Sequence, residues 1–175
     1  MIDSGNGADS VRYERIVVPL DRSERAEVAL VHAKTLAKTL GVPIHLLHVV
    51  DITPLAQAAL IASGIGDLAF QAALSLVEAE EQAAKAYLEE AGRLLGQQGL
   101  TVAFEVRRGV TVDSLLEAVR PSDLLVMATH GKRGIARWFL GDEAAAVIRR
   151  SPAPVLLVRS VAVPAEVSET SDVAA

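Results

Sequence analysis

The segment from Asp123 to Val158 constrains the fold more than any other part of the chain. Leu124, Leu125, Val126 and Met127 form an apolar run too short for a core helix and without the polar alternation of a half-exposed strand, so they predict a strand buried on both faces. Gly131, Gly134 and Gly141 follow, Asp142 opens a helical pattern, and the apolar run Val155–Val158 predicts a second buried strand. A strand that empties into a glycine loop and then a helix N-terminus leaves backbone N–H groups pointing outward, which makes a natural site for an anion such as phosphate. Lys132, Arg133 and Arg137 add positive charge to the same loop.

The rest of the chain repeats the strand-then-helix order. Arg15 to Leu20 predicts a first strand, and Ala26, Ala29, Leu30, Ala33, Leu36, Ala37 and Leu40 then recur at helical spacing until Gly41 supplies a stop. Residues 43–50 predict a second strand, and a long Ala-rich helix from about Asp67 to Gln98 carries Val77, Ala84, Leu88, Ala91 and Leu95 on one stripe, ended by Gly99. Residues 101–107 predict a half-buried strand near a sheet edge with Val102, Phe104 and Val106 inward, and Thr111 is expected to cap a helix bearing Leu115, Leu116 and Val119. Five strands alternating with four helices, several strands being continuously apolar, imply one α/β domain: a doubly wound, mainly parallel five-stranded sheet with helices on both faces. Ligands of such sheets sit at the carboxyl ends of the strands, near the point where the strand order reverses. Those ends are Pro19 to Asp21, Val49 to Asp51 and Met127 to Gly131.

With 175 residues, 51% of them hydrophobic, the chain is long enough for a single sizeable core. The expected domain covers 15–159, with small, polar tails at 1–14 and 160–175 read as flexible. A net charge of -5 provides no general basic surface, so nucleic acid is disfavoured as a partner. Three Phe, two Tyr and one Trp make a base-stacking platform unexpected; an adenine here would be held by aliphatic groups. The apolar stretch 52–77 is broken by Pro54, Gly64, Gly66 and Asp67, which argues against a membrane span. It predicts instead either a lid or partner-facing helix, or an extra helical turn packed on the domain. The absence of cysteine and the lack of an apolar core in residues 1–15 point to the cytoplasm.

Motifs for chemistry are few. Residues 64–69 match G-x-G-x-x-A but follow no strand, and Gly131-Lys132 lacks both the upstream glycine and the Ser or Thr of a P-loop. His32, His45, His48 and His130 form no helical ligand pair, so no metal centre is expected, and His130 is read as bonding loop backbone. Asp21 has two readings, an N-cap or first-turn charge for the first helix, or a hydrogen-bond acceptor for a ribose or adenine edge. No acid-base pair, triad or serine nucleophile motif is read around it, so no catalytic residue is expected.

Taken together, residues 16–23 (IVVPLDRS), 48–51 (HVVD), a glycine after the third strand, 123–131 (DLLVMATHG) and 151–159 (SPAPVLLVR) resemble universal stress proteins of the UspA-like family over nearly all of Arg15 to Arg159. The resemblance implies a Rossmann-like, adenine nucleotide alpha hydrolase-like fold, a dimer through the last strand, Val155 to Val158, and ATP or another adenine nucleotide as ligand; on charge grounds, Lys132, Arg133 and Arg137 or a bridging Mg2+ or Mn2+ would offset part of the repulsion between phosphate and the acidic side chains. The resemblance further implies that Pro19, Asp21 and Val49 hold the adenosine part, while Met127, Ala128, Gly131, Gly141, Asp142 and Glu143 lie along the phosphate path. The family loop follows Gly-x2-Gly-x9-Gly-(Ser/Thr), and this chain departs from it at Ala128 and at Asp142. A carboxylate at a helix N-terminus accepts the same free N–H groups and complements the same dipole as a phosphate. Two functions follow: a nucleotide-binding regulator of a stress response with at most slow ATP hydrolysis, or a dimeric interaction protein of the same fold that binds no nucleotide, works through dimerisation and its variable 52–75 segment, and has a client the residues do not name.

Overall fold

The computed structural model describes residues 12–53, 55–57, 67–130 and 142–160. Five strands, β1 (Arg15–Pro19), β2 (Ile44–Asp51), β3 (Val102–Gly109), β4 (Asp123–His130) and β5 (Val155–Ser160), form one sheet in the order β3-β2-β1-β4-β5. All four pairings are parallel, so the expected mainly parallel sheet is wholly so. Their connections carry α1 (Glu24–Leu40), α2 (Asp67–Gly96), α3 (Thr111–Ala118) and α4 (Asp142–Arg150).

The order reverses at β1. The chain steps outward on one side through β2 to β3, then returns to β4 on the other side of β1 and continues to β5. Right-handed crossovers in opposite directions place their helices on opposite faces, and the core divides accordingly. On one face α1 and α2 bury Ala29, Ala33 and Leu88 against Ile16, Val18, Leu46 and Val126. On the other, α3 and α4 bury Leu115 and Val147 against Val17, Leu47 and Leu125. Covering both faces explains why the inner strands read as continuous apolar runs.

Local chemistry sets the helix ends. Ser23 caps α1, its Oγ accepting from Ala26 N–H at 3.2 Å, and Gly41 ends the helix at φ +67° while its N–H donates to the Ala37 carbonyl. The predicted stop at Gly41 is thus observed as the left-handed C-terminal residue that a Cβ would disfavour. Asp21 is not the cap: its Oδ1 accepts from Ser23 N–H at 3.0 Å and Ser23 Oγ–H at 2.5 Å, orienting the residue that is. Thr111 does not cap α3 either; Val110 occupies that position without a side-chain bond, and Thr111 is the first helical residue. Phe104, predicted inward, is 39% exposed, because β3 is the sheet edge and α2 covers it only in part. Residues 53 and 55–57 are helical and 67–77 belong to α2, whereas residues 58–66 of the expected lid segment and the bulk of both expected tails lie outside the described residues.

Candidate functional site

β1 and β4 are hydrogen-bonded neighbours, yet the next helices in the chain pack on opposite faces of the sheet, α1 on one and α4 on the other. A crevice forms at their carboxyl ends as a result. It has a volume of about 200 Å3 and is walled by Pro19, Leu20, Asp21 and Ser23 of the β1–α1 corner, Leu47 and Val49 of β2, Met127 and Ala128 of β4, and the first turns of α3 and α4.

The floor is aliphatic. Leu47, Val49, Leu115, Met127 and Val147 present side chains without hydrogen-bonding groups, a surface suited to a flat apolar ring. The rim is polar, with the carboxylates of Asp21 and Glu143 and the hydroxyls of Ser23 and Thr111. Carboxylates accept hydrogen bonds only, so this rim suits donors such as sugar hydroxyls. Nearby, the Tyr87 phenol, which donates to Glu27 Oε1 at 3.2 Å, is pushed up to about 12 by burial, then by Glu27, with Asp21 adding to the effect.

Six of the predicted residues, Pro19, Asp21, Val49, Met127, Ala128 and Glu143, come together in this cleft. Asp142, exposed in the first turn of α4, is not among its walls, while Gly131, Gly141, the cations Lys132, Arg133 and Arg137, and the His130 side chain lie outside the described residues. Thr111, Val112, Leu115 and Ala144 were not anticipated as cleft residues. Leu115 was legible only as a core position; the signal for the rest is their place in the first turns of the two helices that follow β3 and β4, since such turns face the strand ends. Among the described residues, no group of three or more His, Asp or Glu is placed to hold a metal ion.

The family model of the universal stress protein family matches residues 12–159. The chain belongs to that family. Universal stress protein MJ0531 of Methanocaldococcus jannaschii is 32% identical over 149 residues, covering 84% of this chain and 82% of its own. The structure of MJ0577 from the same organism superposes with a TM-score of 0.67 at 26% identity, covering 86% of this chain and 99% of that one. A universal stress protein in complex with cAMP superposes with a TM-score of 0.56 at 24% identity over 85% of this chain and 98% of that one, a likeness of fold. The sheet is therefore the Rossmann-like, adenine nucleotide alpha hydrolase-like sheet of universal stress proteins, and the strand order β3-β2-β1-β4-β5 with its cleft beside β1 is this chain's version of it.

Proposed function

We propose that this universal stress protein is a cytoplasmic, homodimeric regulator of a stress response that binds an adenine nucleotide, ATP, ADP or AMP, in the cleft at the strand carboxyl ends. The observation that carries the reading is the convergence of Pro19, Asp21, Val49 and Met127, from three different strand ends, on one cleft with an aliphatic floor and a carboxylate rim. In this reading the adenine lies on Val49 and Met127, Asp21 accepts from the ribose, and the phosphates run past Ala128 toward Gly131, Gly141, Asp142 and Glu143, with Mg2+ or Mn2+ offsetting the acidic side chains. A relative of the same fold has been captured with cAMP, which makes adenine the base to try first. Calorimetry with ATP, with and without Mg2+ or Mn2+, tests it. Heat of binding is expected with the metal present; none at millimolar nucleotide under any of these conditions would end the proposal.

Two observations favour a second reading. Asp142 and Glu143 both stand in the first turn of α4, where their charge complements the helix dipole as a phosphate would. β5 is also a sheet edge, with Leu156 37% exposed. An interaction protein that pairs through Val155 to Val158 and leaves its cleft without nucleotide would show the dimer in sedimentation and no heat in the calorimeter.

A further inference from the structure

Three side chains outside the cleft converge on the corner that forms one of its walls. Arg22 has φ +62°, a left-handed conformation that a residue with a Cβ keeps only when its surroundings hold it there. His48, 5% exposed on β2, places Nδ1 2.6 Å from the Leu20 carbonyl oxygen. A carbonyl only accepts, so Nδ1 carries the hydrogen and donates. On the other side of the ring, Nε2 lies 3.7 Å from Glu80 Oε1 of α2, and both oxygens of Glu80 accept from Arg22 Nη2, at 2.5 and 2.6 Å. The chain of contacts runs from the sheet interior to α2 and back to the corner, closing around Leu20, Asp21 and Arg22.

We infer that His48 and the Arg22–Glu80 pair are positioning residues of the cleft: they hold the β1–α1 corner in the one conformation that brings Asp21 to the rim. None of the three lines the cleft, whereas Leu20, Asp21 and Ser23 do. The bond from His48 is the stronger element, because Leu20 is itself buried and losing the donor leaves its carbonyl unpaired away from water. The ion pair is half-exposed and contributes less. The conformation of the corner stands on this geometry alone, and its effect on ligand affinity rests on the adenine nucleotide reading above.

The test uses the full chain and two readouts, amide hydrogen exchange by NMR at the corner and calorimetry with ATP and Mg2+. Leu20 N–H donates to the Leu47 carbonyl and Ser23 N–H to Asp21, so both report the corner, while Leu125 N–H, which donates to the Pro154 carbonyl, serves as the control. His48→Leu, which fills the space but donates nothing, is expected to speed exchange at Leu20 and Ser23 about tenfold and weaken ATP about tenfold, the worth of one buried hydrogen bond. His48→Asn, whose amide nitrogen falls near the place of Nδ1, is expected to restore both. Glu80→Gln, at a half-exposed position where folding is not at stake, is expected to speed corner exchange about threefold. Corner exchange unchanged in both His48→Leu and Glu80→Gln, or His48→Asn no better than His48→Leu, would overturn the inference. Wild-type protein that binds no nucleotide would remove the ligand reading and leave the exchange results to decide on the clamp.

Discussion

The same two strands, β1 and β4, end very differently at their two termini. At the amino end Arg15 and Asp123 face each other across the pair, Nε to Oδ1 at 2.9 Å and Nη2 to Oδ2 at 3.0 Å. Arg15 Nη2 also donates to the Ala118 carbonyl at 2.8 Å, and Arg120 N–H to Asp123 Oδ2 at 2.7 Å. Asp123 is fully buried, and its two oxygens are taken up by neighbours of the same chain. At the carboxyl end the strands part, and the carboxylates of Asp21 and Glu143 border a cleft with an aliphatic floor. A buried carboxylate whose two oxygens are both taken up by the chain makes one end a fastening, whereas at the other the Asp21 and Glu143 carboxylates border an open cavity.

Breaking the fastening is expected to have the largest effect. Asp123→Ala leaves the Arg15 guanidinium without its partner at a mostly buried site, and a loss of about 3–5 kcal/mol is expected in chemical denaturation. Ligand affinity measured where the variant is still folded should change little, because the two ends share no direct contact. Gly109→Ala tests a position that belongs to both stability and cleft. Its φ is +157° and a Cβ there would lie 2.1 Å from Ser114 Oγ, so the buried Ser114 hydroxyl must rotate away or α3 must shift, at a cost of about 1–3 kcal/mol. Thr111 and Val112 would move with a shift of α3, in which case nucleotide affinity should fall together with the melting temperature; a lower melting temperature with unchanged affinity would mean that Ser114 rotates instead.

Smaller effects sharpen the contrast at the open end. Asp142→Ser is expected to tighten ATP binding about tenfold in calorimetry by removing a like charge from the helix start. An unchanged or weaker affinity would refute competition between that carboxylate and phosphate. Ser23→Ala removes the α1 cap and should cost about 1 kcal/mol in thermal unfolding.

The smallest expected effect is a pH dependence back at the fastened end. Burial, and then the Arg15 charge, hold His45 below its ordinary value of 6.5, against the opposing pull of Glu105 and Asp123. Between the folded and unfolded values the unfolded chain binds more protons, so the contribution of His45 is present above about 6.5 and is lost as pH falls through the folded value. His45→Gln should flatten the acid side of the stability curve in that window.

The difference between the two ends was only half visible in the residues. The strand Leu124 to Met127 could be read because burial on both faces removes alternation, and the stop at Gly41 because only glycine adopts its backbone cheaply. The convergence of Pro19, Val49 and Met127 followed from one rule, that parallel strands of a doubly wound sheet present their carboxyl ends together. The Arg15–Asp123 lock could not be read, since its partners are 108 residues apart and either charge alone looks like a solvated surface group. The corner misled for another reason. Asp21 and Ser23 are both good caps, and the left-handed turn between them falls on Arg22, where glycine or asparagine would have announced it. Phe104 was misplaced because alternation tells which face a side chain points to but not whether a helix reaches that far along the sheet edge.

Titration of isotopically labelled protein with ATP and Mg2+, followed residue by residue in NMR spectra, tests the division between the two ends most directly. The account predicts saturable shifts at Leu20, Asp21, Val49 and Met127, with Arg15 and Asp123 unmoved. Shifts centred on Arg15 and Asp123, or no shift at the cleft at millimolar nucleotide, would contradict it.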